Sequence, residues 1–110
     1  MAAKNNEVTE AVKNHLHDYE LIFVASPEVT EEALDSMIEG VQQFITGKNG
    51  SIEETSKWGK RRLAYPIRRF LEGNYVLTRF KMGPEWSKEL EASLRISEQV
   101  LRYLLVRLDS

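Results

Sequence analysis

Apolar and polar positions along this 110-residue chain fall into two rhythms, one of period two and one of helical period. Tyr19-Glu20-Leu21-Ile22-Phe23-Val24-Ala25 is β-branched, aromatic and apolar on both faces, which predicts a central strand ended by Ser26-Pro27. Thr30 is suited to an N-cap, and Glu31 and Glu32 place negative charge in the first helical turn. Leu34, Met37, Ile38, Val41 and Ile45 then recur on one face of an amphipathic helix, which Gly47, Asn49 and Gly50 bring to an end.

From Gly50 to Ile67 the period is two, but its phase changes. Ile52 and Trp58 share even parity, whereas Leu63, Tyr65 and Ile67 share odd parity. One strand cannot bury both sets on one face unless a residue is inserted, and a β-bulge at Gly59 supplies it. Pro66 cannot donate to a ladder, so this strand belongs at a sheet edge. Gly73-Asn74 is expected to make the turn into a strand running to Met82, with Val76, Phe80 and Met82 on one face and Tyr75, Leu77, Arg79 and Lys81 on the other. Gly83-Pro84 opens a second helix, along which Trp86, Leu90 and Leu94 recur every fourth residue. A last strand covers about Gln99 to Leu108.

The order β-α-β-β-α-β predicts an α+β, ferredoxin-like split β-α-β fold: a four-stranded antiparallel sheet with two helices on one face. Its second strand is an edge strand, as Pro66 requires, and its first and third strands are central. Residues 1–17 are polar and weakly patterned and are read as a flexible N-terminal extension, with the domain covering 18–110. The length suits one domain. No Cys is present, so disulfides, thiolate metal sites and a Cys nucleophile are excluded. No apolar run approaches the ~20 residues of a membrane span, and no secretory or transit signal is legible, so the expectation is a cytosolic protein with no membrane partner.

The formal net charge of −2 argues against a nucleic-acid partner until it is resolved by position. Lys57, Lys60, Arg61, Arg62, Arg68, Arg69, Arg79 and Lys81 face only one acid, Glu72, between residues 57 and 81. Eight cations less one anion give +7 there and leave −9 elsewhere. Edge protection needs one or two charges, whereas six cations lie between Lys57 and Arg69. Lys and Arg neutralise phosphates, and interleaved aromatics stack on bases or pack on the sheet. Trp58 and Tyr65 are candidates for either role. His15 and His17 have no further His or Cys to complete a metal site and are read as solvent-exposed. No phosphate-binding glycine loop or nucleophile elbow is present. Acylphosphatases share the predicted fold, but their Gly-rich, Arg-bearing first loop has no counterpart at Ala25-Ser26-Pro27-Glu28. The RNA-recognition motif is set aside because Glu72-Gly73-Asn74-Tyr75-Val76 lacks its basic-Gly-aromatic-small-aromatic pattern.

The stretch Gly59-Lys60-Arg61-Arg62-Leu63-Ala64-Tyr65-Pro66-Ile67-Arg68 closely resembles the signature of the bacterial small-subunit ribosomal protein six family, Gly-x-basic-polar-Leu-small-Tyr-x-Ile-basic. Asp18-Tyr19-Glu20 is similar to that family's opening strand, and Leu94-Arg95-Ile96 to its link into the last strand. The resemblance covers about Asp18 to Leu108. It implies a structural ribosomal protein, not an enzyme, with no cofactor and no small-molecule substrate. It further implies binding to small-subunit ribosomal RNA together with small-subunit ribosomal protein eighteen during platform assembly, in the cytoplasm. Lys60, Arg61, Arg62 and Arg68 carry over as RNA- or partner-binding candidates, and the charge count adds Lys57, Arg69 and Arg79. Many members continue into a polar or acidic tail, and the end at Ser110 predicts no tail-mediated contacts. The alternative is a ferredoxin-like protein–protein module whose basic hairpin binds an acidic protein.

Overall fold

The computed structural model describes residues 16–108. The expected flexible extension lies outside them except for Leu16 and His17. Strands β1 (His17–Ala25), β2 (Ser51–Ile67), β3 (Phe70–Met82) and β4 (Val100–Arg107) form one antiparallel sheet in the order β2-β3-β1-β4. Helices α1 (Glu31–Gly47) and α2 (Ser87–Ile96) cover one face, the second entered through a 3-10 turn at Pro84–Trp86. This is the ferredoxin-like arrangement, with β2 at the edge and β1 and β3 central.

Each element forms for a local reason. Thr30 caps α1 by accepting a hydrogen bond from the Ala33 amide at 3.0 Å. The helix ends where Asn49 enters the left-handed region (φ 65°) and the Gly50 amide returns to the Ile45 carbonyl. The core lies between helices and sheet: Leu34, Ile38, Val41 and Ile45 of α1 and Leu90 and Leu94 of α2 pack on Leu21, Phe23, Val76 and Phe80. Trp86 packs at its margin, with Lys48 Nζ 4.2 Å from the indole centre.

Two expectations need correction. Gly73-Asn74 is not the turn. β3 begins at Phe70, and the hairpin turns at Arg68-Arg69, both at positive φ (50° and 72°), with Ile67 opposite Phe70. Two-residue hairpins favour such mirror-image turns, but non-glycine residues there cost about 1–2 kcal/mol each. Gly73 and Asn74 serve the strand instead. A Cβ on Gly73 would lie 2.3 Å from Val24 Cγ1, so only glycine lets β3 approach there. The buried Asn74 amide donates to the Ser26 carbonyl at 3.1 Å and pins the loop after β1. The second correction concerns His17, read as solvent-exposed. It is half-buried in β1 opposite Met82, and its Nδ1 is 2.9 Å from Arg107 Nη2.

The bulge expected at Gly59 is present. Pairing slips between Lys57 and Gly59, and Gly59 adopts φ +80° in open space. The two glycines are therefore needed for different reasons, one steric and one conformational. Gly73→Ala should cost about 1–3 kcal/mol through overlap, and Gly73→Asn no less. Gly59→Ala should cost about 1–2 kcal/mol, and Gly59→Asn should recover much of it because Asn tolerates the left-handed region. Urea unfolding of the four variants checks the assignment. Recovery by Asn at both sites, or at neither, would contradict it.

Candidate nucleic-acid interface

The β1–β3 ladder stops at Ala25 opposite Asn74. The β2–β3 ladder runs on through Lys60–Asn74, Arg61–Gly73 and Arg62–Glu72 to Ile67–Phe70. The β2–β3 hairpin therefore projects past the end of β1. Its tip is tied back at two points: Arg68 donates to the Glu98 carbonyl at 2.8 Å, and Arg102 of β4 donates to the Tyr65 hydroxyl at 2.9 Å. Between Arg62 and Ile67 the ladder slips again; Leu63 there is buried beside the contact of Gly73 with Val24, while Tyr65 stays 55% exposed.

Residues paired across a ladder share a face. Lys57 lies opposite the buried Val76 and Lys60 opposite Asn74, both on the helix-covered side. After the inserted Trp58, Arg61 falls on the open side opposite Gly73. Trp58 stacks on Tyr75 with ring centres 6.3 Å apart, and Arg61 lies 5.3 Å over the Trp58 ring. Trp58 is thus an exposed member of an aromatic pair on the open face, and Tyr65 is a tether to β4. Around that pair the open face carries Ile22, Val24 and Leu77, with Leu104 and Val106 exposed beside them.

The cations named from sequence divide into two groups. Lys57 is held by Glu31 and by Asp35 (2.7 Å), both on α1, and these hydrogen bonds raise its pKa, Asp35 contributing most. Arg79 lies between Glu20 (2.9 Å) on β1 and Glu54 (3.5 Å) on β2, and the Glu20 hydrogen bond is the main reason its pKa is raised. Lys81 lies likewise between Asp18 and Glu53. The hairpin cations differ. Among the described residues no carboxylate pairs with Lys60, Arg61, Arg62, Arg68 or Arg69. Arg61 engages Trp58, through its ring and its carbonyl, and Arg68 engages a neutral carbonyl. Sequence reasoning missed Arg102, whose tie to Tyr65 spans 37 positions and leaves no local signal. The same holds for the carboxylates that neutralise Lys57 and Arg79.

Residues 18–107 match the family model described as Ribosomal protein S6. The chain belongs to the ribosomal protein S6 family. It is 42% identical over 94 residues to the small ribosomal subunit protein bS6 of Moorella thermoacetica, covering 86% of this chain and 96% of that one. It is 44% identical to the bS6 of Caldanaerobacter subterraneus (86% and 99% covered) and 38% identical to that of Dehalococcoides mccartyi (94% and 95% covered). The crystal structure of 30S ribosomal protein S6 from Thermotoga maritima superposes with a TM-score of 0.79 at 30% identity, covering 84% of this chain and 87% of that one. As an S6 family member it is a structural, non-enzymatic constituent of the small subunit of the bacterial cytoplasmic ribosome, where it associates with ribosomal RNA and other ribosomal proteins. Among the described residues no helix is long and apolar enough to cross a membrane.

The Lys57 ion pair makes a pH prediction. Its folded pKa lies above the ordinary 10.5, so its contribution is fully present below that value and is lost as pH climbs through the raised one. The stability difference between wild type and Lys57→Met, measured by urea unfolding, should be flat from neutrality towards 10.5 and then decline. A difference that grows with alkalinity would refute the pairing.

Proposed function

We propose that this S6 family chain binds small-subunit, 16S-type ribosomal RNA through the projecting hairpin, jointly with small-subunit ribosomal protein eighteen, during platform assembly. The observation that carries the RNA reading is the division of the cations. Those within the sheet are neutralised by carboxylates of neighbouring elements. Lys60, Arg61, Arg62, Arg68 and Arg69, on the hairpin beyond β1, have no such partner among the described residues. Uncompensated cations retain their attraction for phosphate and release counterions when they bind it. Lys57 and Arg79 accordingly act as positioning residues: Lys57 ties β2 to α1, and Arg79 ties β3 to both neighbouring strands.

The open sheet face supports the protein half of the proposal. Trp58, Tyr75, Ile22, Leu104 and Val106 offer an apolar surface with aromatic anchors, the composition of an interface centre. Phosphate contacts position a protein without reading sequence, so specificity comes from RNA shape and the surface shared with the partner.

A filter-binding titration over salt, using the central domain of small-subunit ribosomal RNA with and without the partner, tests this. Arg61→Ala with Arg62→Ala should weaken binding and lower the slope of log affinity against log salt by roughly 0.7–0.9 for each phosphate that the variant no longer neutralises. Lys57→Met should leave the slope unchanged. Leu104→Lys should weaken capture of the partner while leaving the RNA salt slope intact. Unchanged affinity and slope in the double variant would overturn the RNA assignment.

A further inference from the structure

Two observations at the hairpin tip go beyond a general attraction for phosphate. Arg68 and Arg69 occupy consecutive left-handed positions, where Asn-Gly would sit without strain. Arg68 is engaged there by the Glu98 carbonyl. The Arg69 side chain has no hydrogen bond or ion pair among the described residues, so nothing in the described fold offsets its conformation. Beside it, Arg69 and Arg62 line one cleft of about 380 Å3 together with Pro27, Phe70, Leu71 and Glu72. Leu71 is 57% exposed in it. Arg62 faces Glu72 across the ladder, yet no ion pair joins them, and among the described residues the Arg62 guanidinium has no hydrogen-bond or ion-pair partner.

We propose that this cleft is a clamp for one RNA backbone phosphate, held between the Arg62 and Arg69 guanidiniums, with the attached ribose against Leu71 and Pro27. Two planar, multi-donor groups lining one cleft with Pro27, Phe70 and Leu71 match a phosphodiester, which offers two charged oxygens and a partly apolar sugar. The strained turn places Arg69 where the cleft needs it. Glu72 opposes the bound charge and keeps the contact reversible. This inference rests on the RNA-binding reading above.

The test uses the full-length chain and the central-domain transcript. Arg62→Gln and Arg69→Gln should each weaken binding about tenfold and lower the salt slope by roughly 0.7–0.9. Glu72→Gln should tighten binding several-fold. Arg69→Gly should raise Tm by several degrees by relieving the turn, while weakening binding as Arg69→Gln does. In the 15N-labelled protein, the Arg62 and Arg69 Nε–H resonances should shift on adding RNA and those of Arg79 should not. If Arg69→Gly stabilises the fold at undiminished affinity, or the two Nε signals stay put while Lys60 and Arg61 variants bind poorly, the clamp is wrong and the RNA-binding reading survives. Saturable shifts of the same signals with inorganic pyrophosphate but not with RNA would reassign the cleft to a free phosphate anion and overturn the clamp. A wild-type chain that binds no RNA, with or without the partner protein, overturns both readings.

Discussion

Seventeen residues of β2 must be laid against thirteen of β3, and the character of this sheet follows from how the surplus is absorbed. An antiparallel ladder accepts extra residues only as bulges, and each single insertion reverses which side chains face which way. The ladder slips near Glu53, at Trp58 and between Arg62 and Ile67. The slip at Trp58 leaves Lys57 and Lys60 on the helix side and sends Arg61 to the open side with Trp58. An unbroken strand would have put Lys57 and Arg61 on one face. The bulge therefore distributes the basic signature over both faces of an edge strand. The last slip is the largest. Within it Leu63 is buried on the open side, beside the close approach of Gly73 to Val24, and Tyr65 stays exposed to reach β4, which anchors the projecting tip.

Geometry, more than composition, decides which of these cations stay available. Lys57, Arg79 and Lys81 lie where β2 and β3 run beside α1 or β1, and those neighbours carry Glu31, Asp35, Glu20 and Asp18. The hairpin beyond Asn74 has outrun β1. Among the described residues no acidic element faces it at ion-pairing distance, and its one carboxylate, Glu72, stays unpaired with Arg62. A longer β1 bearing one more acid at its end would bring a carboxylate beside the tip. The length of β1 therefore decides, as much as the arginines themselves, which cations stay unpaired.

Much of this is legible in the sequence, for reasons that can be named. Parity along β2 calls for an inserted residue, and Gly59 marks one bulge in the left-handed conformation; the slips near Glu53 and after Arg62 leave no such mark, and they set Ile52 on the helix side and Trp58 on the open side. Pro66 demands an edge, and the doubly apolar Tyr19–Ala25 demands a centre; the topology satisfies both. The turn is hard to place because its chemistry is atypical. Gly73-Asn74 has the composition of a turn but is required by the close approach of Val24 and by the Ser26 carbonyl, both distant in sequence. Arg68-Arg69 has no turn signature at all. The charge partition is hidden for the same reason, since Glu31 and Glu20 meet Lys57 and Arg79 only after the layers assemble. Local propensity is readable residue by residue, whereas what a side chain meets across a layer is not.

The net charge of −2 ceases to count against nucleic acid once distance is considered. At physiological salt, charges are screened beyond about 8 Å, so a phosphate at the hairpin tip responds to the guanidiniums beside it far more than to the acids of α1. Acids of the sheet and of α1 pair with Lys57, Arg79 and Lys81. If RNA meets the hairpin, as proposed, the acidic remainder disfavours other approaches, because a misdirected one meets negative surface. A protein basic throughout would bind any phosphate surface by any face. An acidic body carrying one basic arm gives up affinity for a defined orientation, which is what a structural constituent of an assembly requires.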